Sequence, residues 1–521
     1  MTTFCHSITG GDYERAGLAT DALKDLLKTL GVDPESTRRA AIAAYEAELN
    51  VVIHARRATL RATLGNQRLD IEIDDEGPGI ADIPLALQPG FSTAPQAARA
   101  LGFGAGLGLP NIQRHTDAFS LDSTVGVGCK LRFSVVFSCV EPLPAAPNSL
   151  RFASERCRAC LRCLPACPTQ ALRVRGRGPS LLAHRCVDCN ACVAACSHGA
   201  IDLDSDSPCP NPNDVDVLVV PFAFLTDFGP AASPRRVHDA LREMGFSRIA
   251  PTETWECAQR HALEDILAHG THPLPLIDVS CPVVTRLVET RFPSLLDHLA
   301  PLLCPVEAAA AQLRDCKAAF VVACPAERTC LRQAGVPEDR ILAPRTLRQQ
   351  LDPSLAAGRG PQSEPAYPPQ EHAPSSTRRP LVASGLPSIL RVLETLEAER
   401  IEPVDLLVLK ACADGCFGSP LFRTPSAVAA HRADLMPLTD GAARPAVMRG
   451  TPYRARAALR LDPDMQASVK KLHRMAEALR SLPQADCARC GAPTCRSHAE
   501  DFALGRIRTL QCKHPSARRA P

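Results

Sequence analysis

Residues 157–168 read CRACLRCLPACP and residues 186–196 read CVDCNACVAAC. The first run spaces Cys157, Cys160, Cys163 and Cys167 as C-x2-C-x2-C-x3-C-P, and the second sets Cys186, Cys189, Cys192 and Cys196 at the same intervals without the closing proline. Cysteines at this spacing hold a pair of 4Fe-4S clusters. Within a run, three closely spaced thiolates each take one corner of a cubane, while the fourth is too distant in that turn and crosses to the other cluster. The expected sets are therefore Cys157, Cys160, Cys163 with Cys196, and Cys186, Cys189, Cys192 with Cys167. C-x2-C pairs also suit tetrahedral zinc, which remains the plainer alternative.

Composition fits a reducing compartment. A cysteine-rich secreted protein would be short and would open with an apolar signal segment, whereas this chain has 521 residues, 24 of them cysteine, and opens MTTFCHSITG. No apolar run approaches the roughly 18 residues of a membrane helix, the best being strand-like stretches such as VDVLVVPFAFL around Val219. A cytoplasmic protein without membrane insertion is expected. Net charge is +3 with both signs interspersed, so nothing argues for a nucleic-acid surface. The basic tail KHPSARRAP reads as a solvated terminus.

Proline- and glycine-rich punctuation separates four segments, and strand-like runs alternating with helical patterns, together with the resemblances below, imply a multidomain α/β and α+β fold class. They are expected at 1–140, 148–205, 214–455 and 465–521, with a linker-like insert at about 353–380. The second resembles bacterial two-cluster ferredoxins.

In the first segment, Glu46 and Asn50 sit four apart in YEAELNVVIHA, whose apolar residues recur at helical spacing, so both project from one face. Asp75-Glu76-Gly77-Pro78-Gly79 follows the strand LDIEID, and Gly102-Phe103-Gly104-Ala105-Gly106-Leu107-Gly108 opens another helix. In this order the pieces resemble the nucleotide-binding boxes of the GHKL ATPase and kinase superfamily, an α/β sandwich, and particularly its anti-sigma-factor-like serine kinases. The resemblance implies ATP with Mg²⁺: Asn50 helps hold the metal, Asp75 reads the adenine amino group, and Gly77, Gly79, Gly104, Gly106 and Gly108 let a lid approach the phosphates. Glu46 would be the general base or orient the attacking water. A departure stands at Gly126-Val127-Gly128-Cys129, where the family usually has threonine at the cysteine.

The third segment carries Ser280-Cys281-Pro282, Ala323-Cys324-Pro325-Ala326-Glu327 and Ala411-Cys412-Ala413-Asp414-Gly415-Cys416, each just after an apolar run. These look like the motifs that ligate the H-cluster in FeFe-hydrogenase large subunits, an α/β domain. The resemblance implies that Cys281, Cys324, Cys412 and Cys416 hold a third 4Fe-4S cluster, with Cys416 the thiolate that would bridge to a diiron subsite. Ser280 stands where catalytic members have a proton-donating cysteine, and Glu327 where they have a lysine. A carboxylate repels the anionic cyanide that a lysine attracts, and serine is a far poorer proton relay than thiol. A diiron subsite and hydrogen turnover are therefore not expected.

The small helical last segment has Cys487, Cys490 and Cys495 in C-x2-C-G-x-P-T-C, followed by Cys512, and resembles the 4Fe-4S domain of several anaerobic electron-transfer proteins; zinc stays open here too. Cys5, Cys139, Cys209, Cys257, Cys304 and Cys316 have no ligand spacing, and most are expected in cores. The domain order resembles a sensory branch of FeFe-hydrogenase-like proteins. That implies redox or gas sensing coupled to ATP binding or protein phosphorylation, with a redox partner protein and a protein substrate or regulator. The alternative is a hydrogenase or an ATP-coupled electron-transfer enzyme.

Overall fold

The computed structural model describes residues 2–65, 67–96, 98, 104–141, 148–176, 178–203, 208–228, 232–270, 272–357, 379–398, 400–423 and 447–514. Two compact units emerge, one of Met1–Leu143, Ala455–Ala478 and Glu500–Arg508, the other of Pro144–Arg454, Leu479–Ala499 and Thr509–Pro521.

In the first unit the strands β1 (Thr2–Thr9), β2 (Arg57–Gly65), β3 (Arg68–Asp75), β4 (Ala118–Thr124) and β5 (Gly128–Val136) form an antiparallel sheet in the order β1-β2-β3-β5-β4. Alternation decides its faces. Ala58, Leu60, Ala62 and Leu64 of β2 and Leu69, Ile71 and Ile73 of β3 are buried, while Arg57, Arg61 and Arg68 are exposed. The helices Leu18–Leu30 and Pro34–His54 share this core through Leu23, Leu27, Leu30, Ala40, Ala44, Ala47 and Val51. Pro34–His54 starts where it does because Asp33 Oδ1 accepts the Ser36 N–H at 2.8 Å and Pro34 opens the first turn. From the middle of that helix, buried Glu48 accepts the N–H groups of Gly17, Ala19 and Thr20 at 3.0–3.1 Å. A carboxylate thus caps the neighbouring helix, satisfying donors that its first turn leaves over. The helix Met465–Arg480 adds Met465, Val469 and Leu472 to the same core.

The second unit has two parallel sheets. Ile249–Pro251, Val217–Val220, Ala318–Val321 and Ile341–Leu342 form one in that order. Leu276–Ile277, Leu406–Lys410 and Pro380–Ser384 form the other. Val217–Val220 is apolar throughout because it is buried on both faces. The ferredoxin-like segment contributes two antiparallel ribbons, Leu150–Phe152 with Ile201–Leu203 and Leu172–Arg175 with Gly178–Leu181. The chain thus mixes antiparallel and parallel sheets with helices, in keeping with the expected α/β and α+β fold class.

Two expectations meet the structure at their edges. The helix Pro344–Ala357 continues through Pro353 and a strand begins at Pro380, so ordered elements reach both ends of the expected insert; 358–378 lie outside the described residues. Of the cysteines without ligand spacing, Cys304 and Cys330 are buried, whereas Cys5 and Cys316 are exposed and Cys129, Cys139, Cys209 and Cys257 half-buried. Cys5 lies on the outward-pointing set of β1, and Cys316 in the turn before Ala318–Val321, so neither reaches a core.

Candidate functional site

Cys157, Cys160, Cys163 and Cys196 line one cavity. Cys167, Cys186, Cys189 and Cys192 line a second. The fourth cysteine of each run thus stands among the first three of the other. Both runs turn on left-handed residues at equivalent places, Ala159 and Leu161 (φ 48° and 64°) and Asp188 and Asn190 (φ 53° and 66°). Such turns aim successive N–H groups inward. Ala159 N and Asp188 N each lie 3.4 Å from the sulfur of Cys157 and Cys186, and Ala171 N and Ala200 N donate to Cys167 and Cys196 at 3.2 and 3.3 Å. Burial pushes the Cys163 thiol up to about 11 and that of Cys192 to about 12, so both keep their protons until a metal displaces them. Four soft sulfurs lining one pocket, with backbone N–H groups turned toward them, suit a 4Fe-4S cluster.

Cys281, Cys324 and Cys412 follow the carboxyl ends of parallel strands, where open α/β sheets gather ligands. Cys281 and Cys324 also cap the helices Pro282–Arg291 and Pro325–Gln333, each with proline in its first turn. Their partly positive amino ends suit an anionic cluster. Burial pushes all four thiols up, Cys412 to about 12, and Cys281 raises each of the other three. The structure therefore brings Cys281, Cys324, Cys412 and Cys416 together.

Charges surround this set. Lys410 Nζ donates to Ser280 Oγ at 2.8 Å and lies 3.9 Å from Glu256. Burial alone would lower its pKa, but Glu256, Cys416 and Asp278 hold it above the ordinary value. Glu327 accepts the Ala323 N–H at 2.6 Å, and burial pushes its carboxyl up to about 7. Sequence reasoning weighs Glu327 and misses Lys410; the one signal is a lysine closing the apolar strand LLVLK just before Cys412.

The third set is joined to the second ferredoxin cavity through buried Asp188. Its Oδ2 accepts Thr329 Oγ1 at 2.8 Å and pairs with Arg286 Nη1 at 3.0 Å. Thr329 and Arg286 lie on the helices that begin after Cys324 and Cys281.

Cys487, Cys490 and Cys495 gather on another left-handed turn, with Asp486, Ala488 and Gly491 at φ 45°, 57° and 81°. Asp486 Oδ1 accepts the Cys495 N–H at 2.7 Å. Cys512 follows Gln511, whose carbonyl meets His498 Nε2 at 3.1 Å one turn after Cys495. Gly491 O accepts the N–H of Val174, a residue lining the first cavity, at 2.9 Å.

In the first unit, Glu46 and Asn50 lie one turn apart on Pro34–His54. A Cβ built on Gly108 would lie 3.2 Å from Glu46 Oε2 and 3.4 Å from Asn50 Oδ1, so these three positions meet. Asn111, which sequence reasoning passes over, donates from Nδ2 to Glu46 Oε1 at 2.8 Å. At the end of β3, Asp75 groups with Gly77, Gly79 and the Cys129 turn. Its Oδ1 accepts the Cys129 N–H at 3.2 Å, and burial raises its pKa. A Cβ on Gly77 would come 2.8 Å from that oxygen, and one on Gly79 2.4 Å from Thr124 O. Gly104 and Gly106 adopt φ 80° and 74°, while Gly102 and Phe103 lie outside the described residues.

Among known proteins, residues 11–135 match the histidine kinase-like ATPase domain, 156–201 the 4Fe-4S dicluster domain, 218–329 the iron only hydrogenase large subunit, C-terminal domain, and 482–514 an Fe-S cluster family. The chain is 32% identical over 113 residues to the serine/threonine-protein kinase RsbT of Bacillus subtilis (strain 168), covering 21% of this chain and 79% of that protein. It is 35% identical over 100 residues to an anti-sigma F factor of Caldanaerobacter subterraneus subsp. tengcongensis, covering 19% and 62%. The solved FeFe-hydrogenase HydA1 from Chlamydomonas reinhardtii is similar at 16% identity and a TM-score of 0.34, over 46% of this chain and 86% of that one. No helix among the described residues is long and apolar enough to cross a membrane. Through residues 11–135 the chain belongs to the histidine kinase-like ATPase family, and the same polypeptide carries dicluster, hydrogenase-like and Fe-S domains.

Proposed function

We propose that this protein senses redox state or a small gas through iron-sulfur clusters and answers through its nucleotide domain, by changing ATP affinity or phosphorylating a protein partner. The observation that carries this reading is the crossed lining of the two ferredoxin cavities, Cys196 among the first run and Cys167 among the second. Four 4Fe-4S clusters follow, held by Cys157, Cys160, Cys163 and Cys196; by Cys167, Cys186, Cys189 and Cys192; by Cys281, Cys324, Cys412 and Cys416; and by Cys487, Cys490, Cys495 and Cys512. ATP with Mg²⁺ sits by Asn50 and Asp75, the glycines admit the phosphates, and Glu46 orients the attacking group or takes its proton. Asn111 positions Glu46 through their 2.8 Å bond. A redox protein delivers or removes electrons, and a protein substrate or regulator receives the output.

Hydrogen turnover is not part of this function. Ser280 is already engaged by Lys410 and Asp278, which suits a fixed hydrogen-bond network better than a proton relay. Any coupling between clusters and nucleotide appears reciprocally in binding. Titrating ATP into oxidised and dithionite-reduced protein, handled without oxygen, therefore tests the reading: the isotherms differ at least severalfold in affinity, and superimposable curves refute it.

A further inference from the structure

Three metal-type donors converge away from every cluster motif. Cys304 caps the helix Pro305–Gln312, Glu307 lies in its first turn, and Cys330 comes from Pro325–Gln333. Their two sulfurs and a carboxylate oxygen all lie within 4.8 Å of one another. Both cysteines are buried, at 2% and 7% exposure. Glu307 is held in place, since its Oε2 accepts the Cys304 N–H at 3.0 Å and Arg449 Nη1 lies 3.3 Å from the same oxygen. Arg449 is fixed in turn, stacked 4.4 Å over the Tyr453 ring, whose hydroxyl donates to Leu302 O at 2.7 Å.

Glu307 also closes a capping box at the start of Pro305–Gln312, and what that cap does not require is the second buried thiol, Cys330, brought to the same carboxylate from another helix. A tetrahedral zinc ion, with bonds of about 2.3 Å to sulfur and 2.0–2.2 Å to oxygen, places its donors about 3.5–3.8 Å apart, inside the observed span. Two thiolates, one carboxylate and a divalent ion leave one negative charge, which the Arg449 guanidinium neutralises. Buried ionic sites require such balance. Outer partners that orient ligands, here the Cys304 N–H and Arg449, are what metal sites typically show.

We propose that Cys304, Glu307 and Cys330 bind one divalent ion of the zinc class, with water in the fourth position. The site is separate from the clusters and does not depend on the sensing function. It pins Pro325–Gln333, the helix that begins after Cys324 and carries Thr329, to the start of Pro305–Gln312.

The test uses cluster-loaded protein prepared without oxygen, with zinc and iron counted together by mass spectrometry. Cys304→Ser combined with Cys330→Ser lowers zinc by about one ion per chain and leaves iron unchanged. Cobalt offered to the wild type gives the thiolate charge-transfer bands of a tetrahedral site, absent from the double variant. Should that variant not fold, Glu307→Gln, close in shape, weakens zinc retention against a chelator tenfold or more. Zinc content and cobalt bands that stay the same in the folded variants overturn the proposal, as does a Cys304–Cys330 disulfide found in the native protein.

Discussion

The Cys129 N–H donates to the Asp75 carboxylate at 3.2 Å, binding the end of β3 to the start of β5. The bond comes from the backbone, so it tolerates the departure from threonine at this position. Asp75→Asn is expected to weaken ATP binding at least tenfold by calorimetry, about the worth of one charge-assisted hydrogen bond. Cys129→Thr should retain affinity. An unchanged isotherm for Asp75→Asn would remove Asp75 from the nucleotide site.

Asp188 and Arg286 are buried at 1% and 5% exposure and pair at 3.0 Å. Arg286→Met leaves the carboxylate buried without its cation and costs about 3–5 kcal/mol. Anaerobic urea unfolding of the cluster-loaded protein should show that loss. A midpoint within error of the wild type would contradict it.

Gly491 adopts φ 81°, and a Cβ there would lie 1.9 Å from Val174 O. Backbone on both sides leaves no side chain to move aside. Gly491→Ala should cost at least about 2 kcal/mol from left-handed strain and the lost hydrogen bond. Iron bound per chain should fall by the complement of one cubane if the Cys487–Cys495 turn opens; full iron with an unchanged melting temperature would argue against this.

Glu253 has a buried carboxylate, with one oxygen accepting the Phe222 N–H at 2.9 Å and the other lacking a hydrogen-bond partner among the described residues. Burial, then the neighbouring Glu256, pushes it up to about 8. An acid raised above its unfolded value favours folding most below that unfolded value and loses the contribution as pH rises through the folded one. Stability should therefore fall between about pH 4.5 and 8 by an amount on the order of a few kcal/mol. Glu253→Gln should flatten that slope in thermal melts, and a slope equal to wild type would clear Glu253.

Lys410 carries its charge beside Cys281 and Cys416. Reduction adds negative charge to a cluster, so Lys410→Met should lower the potential of the third cubane by roughly 100 mV, from one charge at close range in an effective dielectric near 20. Resonance-monitored redox titration measures the shift, and an unshifted potential would show that the charge is screened.

The cysteine runs are legible because a chelating loop is a local object, and intervals of two and three residues already fix which sulfurs turn together. Strand alternation is legible for the same reason in β2 and β3. Lys410, Asn111 and the Cys304–Cys330 pair are not, since each takes its meaning from a partner on another element: Ser280 is 130 residues from Lys410, and Asn111 is 65 from Glu46. Cys304 belongs with the unspaced cysteines until folding sets it beside Cys330.

Because Cys196 closes the first ferredoxin cavity and Cys167 the second, neither can be walled by its own stretch of chain. A ribosome must release both runs before either cavity has its full ring of sulfurs. Neither site is complete until synthesis has passed Cys196, and damage to one run disarms its twin as well.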